Sequence, residues 1–395
     1  MTAVTSLNFP PEPVVSEASP TEVAAETSAK NVAAQTPGKE PLLEIRGLSV
    51  DYGVGPGAAH AVDSVNLVVH RGEALGLAGE SGSGKSTLAH AITRLLREPA
   101  VVTKGQVLYH GRGSVSVGAS GPVDVLTLSK AQLRKFRWEQ IAIVFQSAMN
   151  ALNPVIDIRR QLTDSLSAHR PRMSRKDQTD RAAELLELVG VSKERLHSFP
   201  HQLSGGMRQR VMIAMALALG PDLIVMDEPT TALDVVTQRQ ILEKIEELRI
   251  QFGFATVFIT HDLSLLLDIA DSIAIMYAGR MVEVGPASRL YSESAHPYSR
   301  GLLQSFPPLT GPRRELTGIP GFPPDLRALP PGCPFAPRCE HAMNVCREIY
   351  PPITHLSETH QRDHLVACWL HSKQSDAQTS ESAQDETDAA EPGHD

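Results

Sequence analysis

The nine residues Gly79-Glu80-Ser81-Gly82-Ser83-Gly84-Lys85-Ser86-Thr87 constrain this chain more than any other segment. An apolar run, Ala74-Leu75-Gly76-Leu77-Ala78, precedes them, and a run with helical spacing over 88–96 follows. Strand, glycine-rich loop and helix in that order are the context a phosphate-binding loop requires. Small residues let backbone N–H groups approach a polyphosphate, and the helix presents unpaired N–H groups and a positive dipole end to the same anion. Lys85 is placed to reach the β- and γ-phosphates of a nucleotide, and the Ser86 hydroxyl to ligate Mg²⁺. The alternative, a glycine-rich turn without a ligand, is set aside by the match of all these positions in that context.

The rest of the chain supplies an α/β frame for such a loop. Apolar runs predict strands over 42–50, 65–69, 74–78, 106–109, 141–145, 223–226, 255–259 and 273–277. Helical spacing predicts helices over 207–219, 235–252 and 263–269, and a helical block, the α-helical subdomain, at about 150–220. Ala182, Leu185, Leu186 and Val189 illustrate the spacing. Strands alternating with helices imply a parallel core sheet. The short strand at 106–109 leads into a Gly/Ser-rich stretch, 111–121, read as a surface loop in an antiparallel hairpin region.

Charge separates the ends from the middle. The net charge is −8, yet residues 374–395 hold seven acids and no Lys or Arg, and residues 1–40 hold five Glu against two Lys. Both ends are poor in large apolar residues and are expected to be disordered tails, 1–40 and 372–395. The middle is close to neutral, which argues against a nucleic-acid footprint or a polybasic membrane patch. No apolar run approaches the ~18 residues of a membrane span, and the N-terminus lacks a secretory signal.

Two further elements complete a nucleotide site. Leu223-Ile224-Val225-Met226-Asp227-Glu228 is an apolar strand ending in two carboxylates. Asp227 can hold Mg²⁺ through water, and Glu228 can polarise an attacking water. Leu203-Ser204-Gly205-Gly206-Met207-Arg208-Gln209 opens a helix with a second anion-binding start. On these motifs, residues 42–290 resemble the ATPase subunit of an ATP-binding cassette (ABC) transporter. The resemblance implies an α/β P-loop core, at 41–294, with an antiparallel β subdomain and an α-helical subdomain. It implies that Leu203 to Gln209 bind the γ-phosphate of ATP held by an opposite subunit. It also implies that Tyr52 stacks on adenine, Gln146 senses Mg²⁺ and water, Ala232-Leu233-Asp234 cross a dimer interface, and His261 contacts the γ-phosphate. Glu228, His261 and Gln146 are then the catalytic set, with Ser86, Gln146 and Asp227 around Mg²⁺.

The four cysteines, Cys333, Cys339, Cys346 and Cys368, fall within 36 residues. Clustered thiols in a chain without a secretory signal suggest tetrahedral zinc or an iron–sulfur cluster rather than disulfides. Four unconnected thiols are the plainer reading of their spacing. His296-Pro297-Tyr298, Ile319-Pro320-Gly321 and Cys333-Pro334-Phe335-Ala336-Pro337-Arg338-Cys339 resemble the C-terminal extension of ATPases from peptide/nickel-type ABC importers. That resemblance implies a small cysteine-bearing domain at 295–371 and a [4Fe–4S] cluster on the four thiols, with Zn²⁺ as the alternative. It implies a peripheral subunit on the cytoplasmic face of the cell's inner membrane. Its partners would be two permease subunits, an extracytoplasmic substrate-binding protein and a second, distinct ATPase, with no nucleic acid. Residues 147–154 and the helical subdomain would receive the permeases' coupling helices. Di- or oligopeptides are the implied cargo, with oligosaccharide, nickel or glutathione as alternatives. A soluble ABC ATPase acting outside transport is the competing class, disfavoured by a single cassette with no long coiled-coil insertion.

Overall fold

The computed structural model describes residues 40–111, 121–145, 151–230, 233–305, 318–356 and 364–372. Gln146, Ala232, residues 112–120 and 147–150, and the expected tails apart from Glu40 and Ser372 lie outside the described residues. The elements belong to the unit Pro41–Asp395. In chain order they are β1 (Pro41–Tyr52), β2 (Ala59–His70), β3 (Ala74–Ala78), α1 (Lys85–Ile92), β4 (Ala100–Tyr109), β5 (Val123–Asp124), α2 (Lys130–Glu139) and β6 (Ile141–Val144). The helical block follows as α3 (Ile158–His169), α4 (Arg175–Leu188) and α5 (Gly205–Leu217). Then come β7 (Leu223–Asp227), α6 (Val235–Phe252), β8 (Ala255–Ile259), α7 (Leu263–Ile269), β9 (Ser272–Tyr277) and β10 (Arg280–Pro286). α8 (Ala287–Glu293) follows, and the extension holds α9 (Pro297–Gln304), α10 (Val345–Glu348), β11 (Ile353–His355) and β12 (Leu365–Ala367).

Two sheets organise these elements. One is antiparallel, in the order β2-β1-β4-β5. The other has the order β11-β12-β10-β9-β3-β8-β7-β6, and its strands β9, β3, β8, β7 and β6 are mutually parallel. The parallel strands are buried on both faces, which is why they read in the sequence as unbroken apolar runs. Their two-residue period divides the core. Leu223, Val225, Ala274 and Met276 face one cluster with α1 and the antiparallel sheet. Ile224, Met226, Ile273 and Ile275 face the other, with the helical block and α6.

The helices are delimited by local chemistry. Asp234 accepts from Thr237 N–H at 2.9 Å and starts α6, and Gly253 ends it in a left-handed conformation (φ 70°). Its buried face is Ile241, Leu242, Ile245 and Leu248. Ser129 and Gln132 form a reciprocal capping box that opens α2, a helix the apolar pattern did not announce. β4 begins at Ala100, six residues earlier than the apolar run suggested, because its first half is an exposed ribbon paired with β1.

The extension is tied into the main sheet. β12 pairs antiparallel with β10 through Glu283↔Val366 and Val284↔Leu365. The Glu283 carboxylate, 1% exposed, accepts from His364 Nε2 (2.7 Å), Ala295 N–H (2.7 Å), His296 N–H (3.0 Å) and Ser294 Oγ (3.1 Å). Tyr350 lies beneath the Arg280 guanidinium at 4.0 Å, and Arg280 in turn pairs with Asp63 of β2.

Candidate functional site

The loop Gly79–Thr87 leaves the C-terminal end of β3, an interior strand of the parallel set between β9 and β8, and runs into α1. Gly84, the N-cap of α1, has φ 104° and supplies no side-chain cap, so the first N–H groups of the helix are left to an outside acceptor. A side chain would not fit there: a Cβ on Gly84 would lie 2.1 Å from the Ala61 carbonyl oxygen. Lys85 is buried, and its ammonium donates to the Gly79 and Glu80 carbonyls at 2.7 and 2.8 Å. Burial lowers its pKa, opposed by the charges of Glu228, Asp227 and Glu80. A cation is thus held within the loop by the loop's own carbonyls.

The second element meets the first across the sheet. β7 lies one strand away from β3, separated by β8, and delivers Asp227 to within 3.1 Å of Ser86 Oγ, which donates to it. Burial raises the pKa of Asp227, and the Ser86 hydrogen bond and His90 oppose the rise. A buried carboxylate beside a hydroxyl is a hard oxygen donor pair, and a bound Mg²⁺ would supply the countercharge that burial denies Asp227. The next residue, Glu228, takes a positive φ of 46°, and its N–H donates to the Ile259 carbonyl at 2.8 Å. This turn aims its carboxylate at His261, whose Nδ1 lies 3.3 Å from Glu228 Oε1. Positive φ at a non-glycine residue carries a conformational cost of about 1 to 3 kcal/mol, tolerated where the surrounding structure holds it. Tyr52, at the end of β1, is 38% exposed and its hydroxyl lies 3.3 Å from Thr87 Oγ1. An aromatic face is therefore available beside the loop.

The remaining expected residues occupy a separate place. Leu203 is buried, Ser204 is the N-cap of α5 with its hydroxyl accepting from Met207 N–H at 3.3 Å, and Gly205 and Gly206 form the first turn. Gly206 closely faces Thr237 of α6, so this turn sits against the Leu233–Asp234 segment. Among the described residues no hydrogen bond joins Ser204, Gly205 or Gly206 to Gly79–Thr87. Arg208 and Gln209 follow on α5, with Gln209 buried.

The four cysteines, unbonded to one another, line one small cavity of about 20 Å³ together with His296, Phe335 and His341. Burial pushes the Cys333 thiol up to about 11 and the Cys368 thiol up to about 12, with the neighbouring thiols adding to both. The four thiols thus lie together, as their clustering in the sequence suggested. Among the described residues, however, no group of three or more His, Cys, Asp or Glu is disposed to hold a metal ion. The donor set suits a cluster or zinc, but its present arrangement is not a closed coordination shell.

Sequence reasoning missed the residues that support the loop from outside. Glu80 N–H donates to the Tyr298 hydroxyl of α9 at 2.7 Å, and the Glu80 carboxylate pairs with Arg338. Tyr298 and Arg338 are 218 and 258 residues from Glu80, and no sequence signal connects them.

A loop, a carboxylate-ended strand and a helix start in this arrangement define a P-loop ATPase of the ATP-binding cassette class. Residues 62–231 match the family model "ABC transporter", and residues 282–346 match "Oligopeptide/dipeptide transporter, C-terminal region". The chain is 41% identical over 333 residues to the oligopeptide transport ATP-binding protein of Bacillus subtilis (strain 168), covering 83% of this chain and 88% of that protein. It is 41% identical over 334 residues to the dipeptide transport ATP-binding protein of the same strain, covering 84% and 95% respectively. Its fold is similar to a dimeric ATP-binding cassette in a post-hydrolysis state bound to ADP and Pi (TM-score 0.53, 28% identity, 62% of this chain and 99% of that one). The chain belongs to the ATP-binding subunits of ABC transporters, within the oligopeptide/dipeptide group, and is an ATPase coupled to transport. No helix among the described residues is long and apolar enough to cross a membrane.

Proposed function

We propose that this subunit hydrolyses ATP at a site shared with a second, distinct ATPase and so drives uptake of di- or oligopeptides through separate permeases. The observation that carries the reading is the convergence of Lys85, Ser86, Asp227, Glu228 and His261 at the end of one sheet. The extension match at 282–346 and the relatives named for oligopeptide and dipeptide transport support peptides over oligosaccharide, nickel or glutathione as cargo. The complex would include two permeases and an extracytoplasmic binding protein, with this chain on the cytoplasmic face of the inner membrane. The cassette would occupy 41–294 and the extension 295–371.

The loop N–H groups and the N-terminus of α1 bind the β- and γ-phosphates, with Lys85 released from its carbonyl partners to meet them. Tyr52 stacks on the adenine. Ser86, Asp227 and Gln146 would hold Mg²⁺, which would supply charge neutralisation at the phosphate oxygens. Glu228 accepts a proton from the attacking water, and His261 orients Glu228 and the γ-phosphate. Ser204 and the N–H groups of the α5 start complete the opposite subunit's site, and Leu233–Asp234 crosses between the two. Because the two halves lie on different subunits, turnover waits on dimer closure. The four thiols would carry a [4Fe–4S] cluster, or Zn²⁺ in its place, as a brace for the extension. Stoichiometric iron and visible absorbance in anaerobically prepared protein support the cluster, whereas a colourless, zinc-loaded protein assigns the thiols to zinc.

Reconstitution with the permeases, the binding protein and the partner ATPase tests the function. Glu228→Gln is expected to retain ATP binding and to lose hydrolysis and uptake by about 100-fold or more. Near-normal hydrolysis at this chain's own site would remove Glu228 from the mechanism. Robust ATPase activity that no peptide-loaded binding protein stimulates would remove peptides as cargo.

A further inference from the structure

Among the described residues the extension reaches the phosphate loop at Glu80, through Tyr298 and Arg338. Arg338 is 9% exposed and lies between Cys333 and Cys339. Its Nη1 and Nη2 donate to Glu80 Oε2 and Oε1 at 2.8 and 2.9 Å, a two-pronged fork. Nε donates to the Pro320 carbonyl at 2.7 Å, and Nη1 also reaches the Tyr277 hydroxyl at 3.2 Å. The guanidinium lies 5.7 and 5.8 Å from the Tyr277 and Phe335 ring centres. Glu80 is fixed at its backbone as well, its N–H by Tyr298 and its carbonyl by Lys85 and by Ser83 N–H at 3.2 Å.

From this geometry we infer that Arg338 is a positioning residue for ATP, acting through Glu80 from the C-terminal extension. The inference rests on the reading that Gly79–Thr87 holds the nucleotide phosphates. Glu80 places a carboxylate in a loop that must accept a highly charged anion. Left alone, that carboxylate repels the phosphates and competes for Lys85, whose ammonium already lies against the Glu80 carbonyl. The fork removes the charge and holds the loop's second residue at the height set by the Tyr298 hydroxyl. An Arg serves where a Lys would not, because the planar guanidinium satisfies both carboxylate oxygens and still donates to Pro320 and Tyr277. The extension thereby sets the affinity of the motor for its fuel, and the cysteine cavity, lined by Phe335 beneath Arg338, lies directly behind the contact.

The test is steady-state ATPase kinetics of the assembled transporter carrying Arg338→Met, Arg338→Lys, or Arg338→Met together with Glu80→Gln. An uncompensated like charge several ångströms from the phosphates weakens binding by about tenfold or more. Arg338→Met is therefore expected to raise the KM for ATP by about tenfold with kcat changed less than about threefold. Arg338→Lys should fall between, and Glu80→Gln added to Arg338→Met should return KM to within about threefold of the unmutated complex. A purely structural tie predicts otherwise: reduced thermal stability in Arg338→Met, an unchanged KM, and no recovery from Glu80→Gln. That outcome, or an unaltered KM in Arg338→Lys should the Met variant not assemble, overturns the inference. An unmutated complex that fails to bind or hydrolyse ATP would instead overturn the ATPase reading on which it rests.

Discussion

Replacing Glu283 by Gln probes how the extension is fastened to the motor. Burial pushes the Glu283 carboxyl upward, but hydrogen bonds from His364 and from the Ala295 and His296 N–H groups hold it below the ordinary carboxylate range. It is therefore ionised at neutral pH. Each of its oxygens accepts one backbone N–H: Oε1 from Ala295 and Oε2 from His296. A Gln amide has a single oxygen, so in either orientation its NH₂ faces a backbone N–H that cannot turn into an acceptor. One charge-assisted hydrogen bond is lost and two donors are left buried without partners. The lost bond is worth about 1.5 to 3 kcal/mol and each orphaned donor about 1 to 3. These costs overlap and do not add in full, so the expected loss is about 3 to 5 kcal/mol, the usual cost of removing one partner from a buried ion pair. The chain's two tryptophans allow the loss to be localised, since Trp369 lies in the extension and Trp138 in α2. In a Trp138→Phe background, urea unfolding reports the extension alone. With an m-value of about 3 kcal/mol/M, its midpoint should fall by roughly 1 to 1.5 M in Glu283→Gln. A shift below roughly 0.3 M would refute the reasoning, because it would mean that the amide finds partners the geometry denies it.

Two further outcomes follow from single residues. His296 is fully buried, and burial, only partly opposed by Glu283, pushes its pKa down to about 4, while its Nδ1 accepts the Tyr298 N–H that begins α9. It is neutral in the fold and takes up a proton near pH 6.5 when unfolded, so its stabilisation is present above about pH 6.5 and is lost as pH falls towards 4, by at most about 3 kcal/mol. Denaturation midpoints measured from pH 7 to 5 should decline, and His296→Asn, which keeps an N-cap acceptor, should flatten the decline. An unchanged slope in that variant would assign the pH dependence to other groups. Glu73, held to about 2 by His70 and Ser272 against the pull of burial, contributes stability that is fully present above about pH 4.5 and lost only as pH falls below it, outside the pH 7 to 5 range. Gly84→Ala should abolish nucleotide binding measured by equilibrium titration, because its Cβ would lie 2.1 Å from the Ala61 carbonyl oxygen. Gly82→Ala, at φ 78° but with nothing within 4 Å of its Cβ, should cost only about 1 to 2 kcal/mol in backbone strain. Equal effects of the two would show that the loop's tightness is not set by β2.

The sequence alone determined the parts whose signal is local. The phosphate loop, the strand ending in Asp227-Glu228, the Ser-Gly-Gly helix start and the full span of α6 could be read from neighbours in the chain, because each depends on residue order over a turn or a strand. Parallel strands buried on two faces are continuous apolar runs, so they too were legible. The elements it hid have weak local patterns: the exposed half of β4, α2 with its capping box, and the short strands β11 and β12. Tertiary structure alone decided that the four thiols share a cavity, that β12 extends the motor's own sheet at β10, and that Arg338 reaches the phosphate loop across 258 residues. The reason is physical. A glycine's φ or a strand's apolar period is imposed within a few residues. A fork between a guanidinium and a carboxylate exists only once two distant segments have been packed to within three ångströms, and nothing in either segment states which partner it will meet.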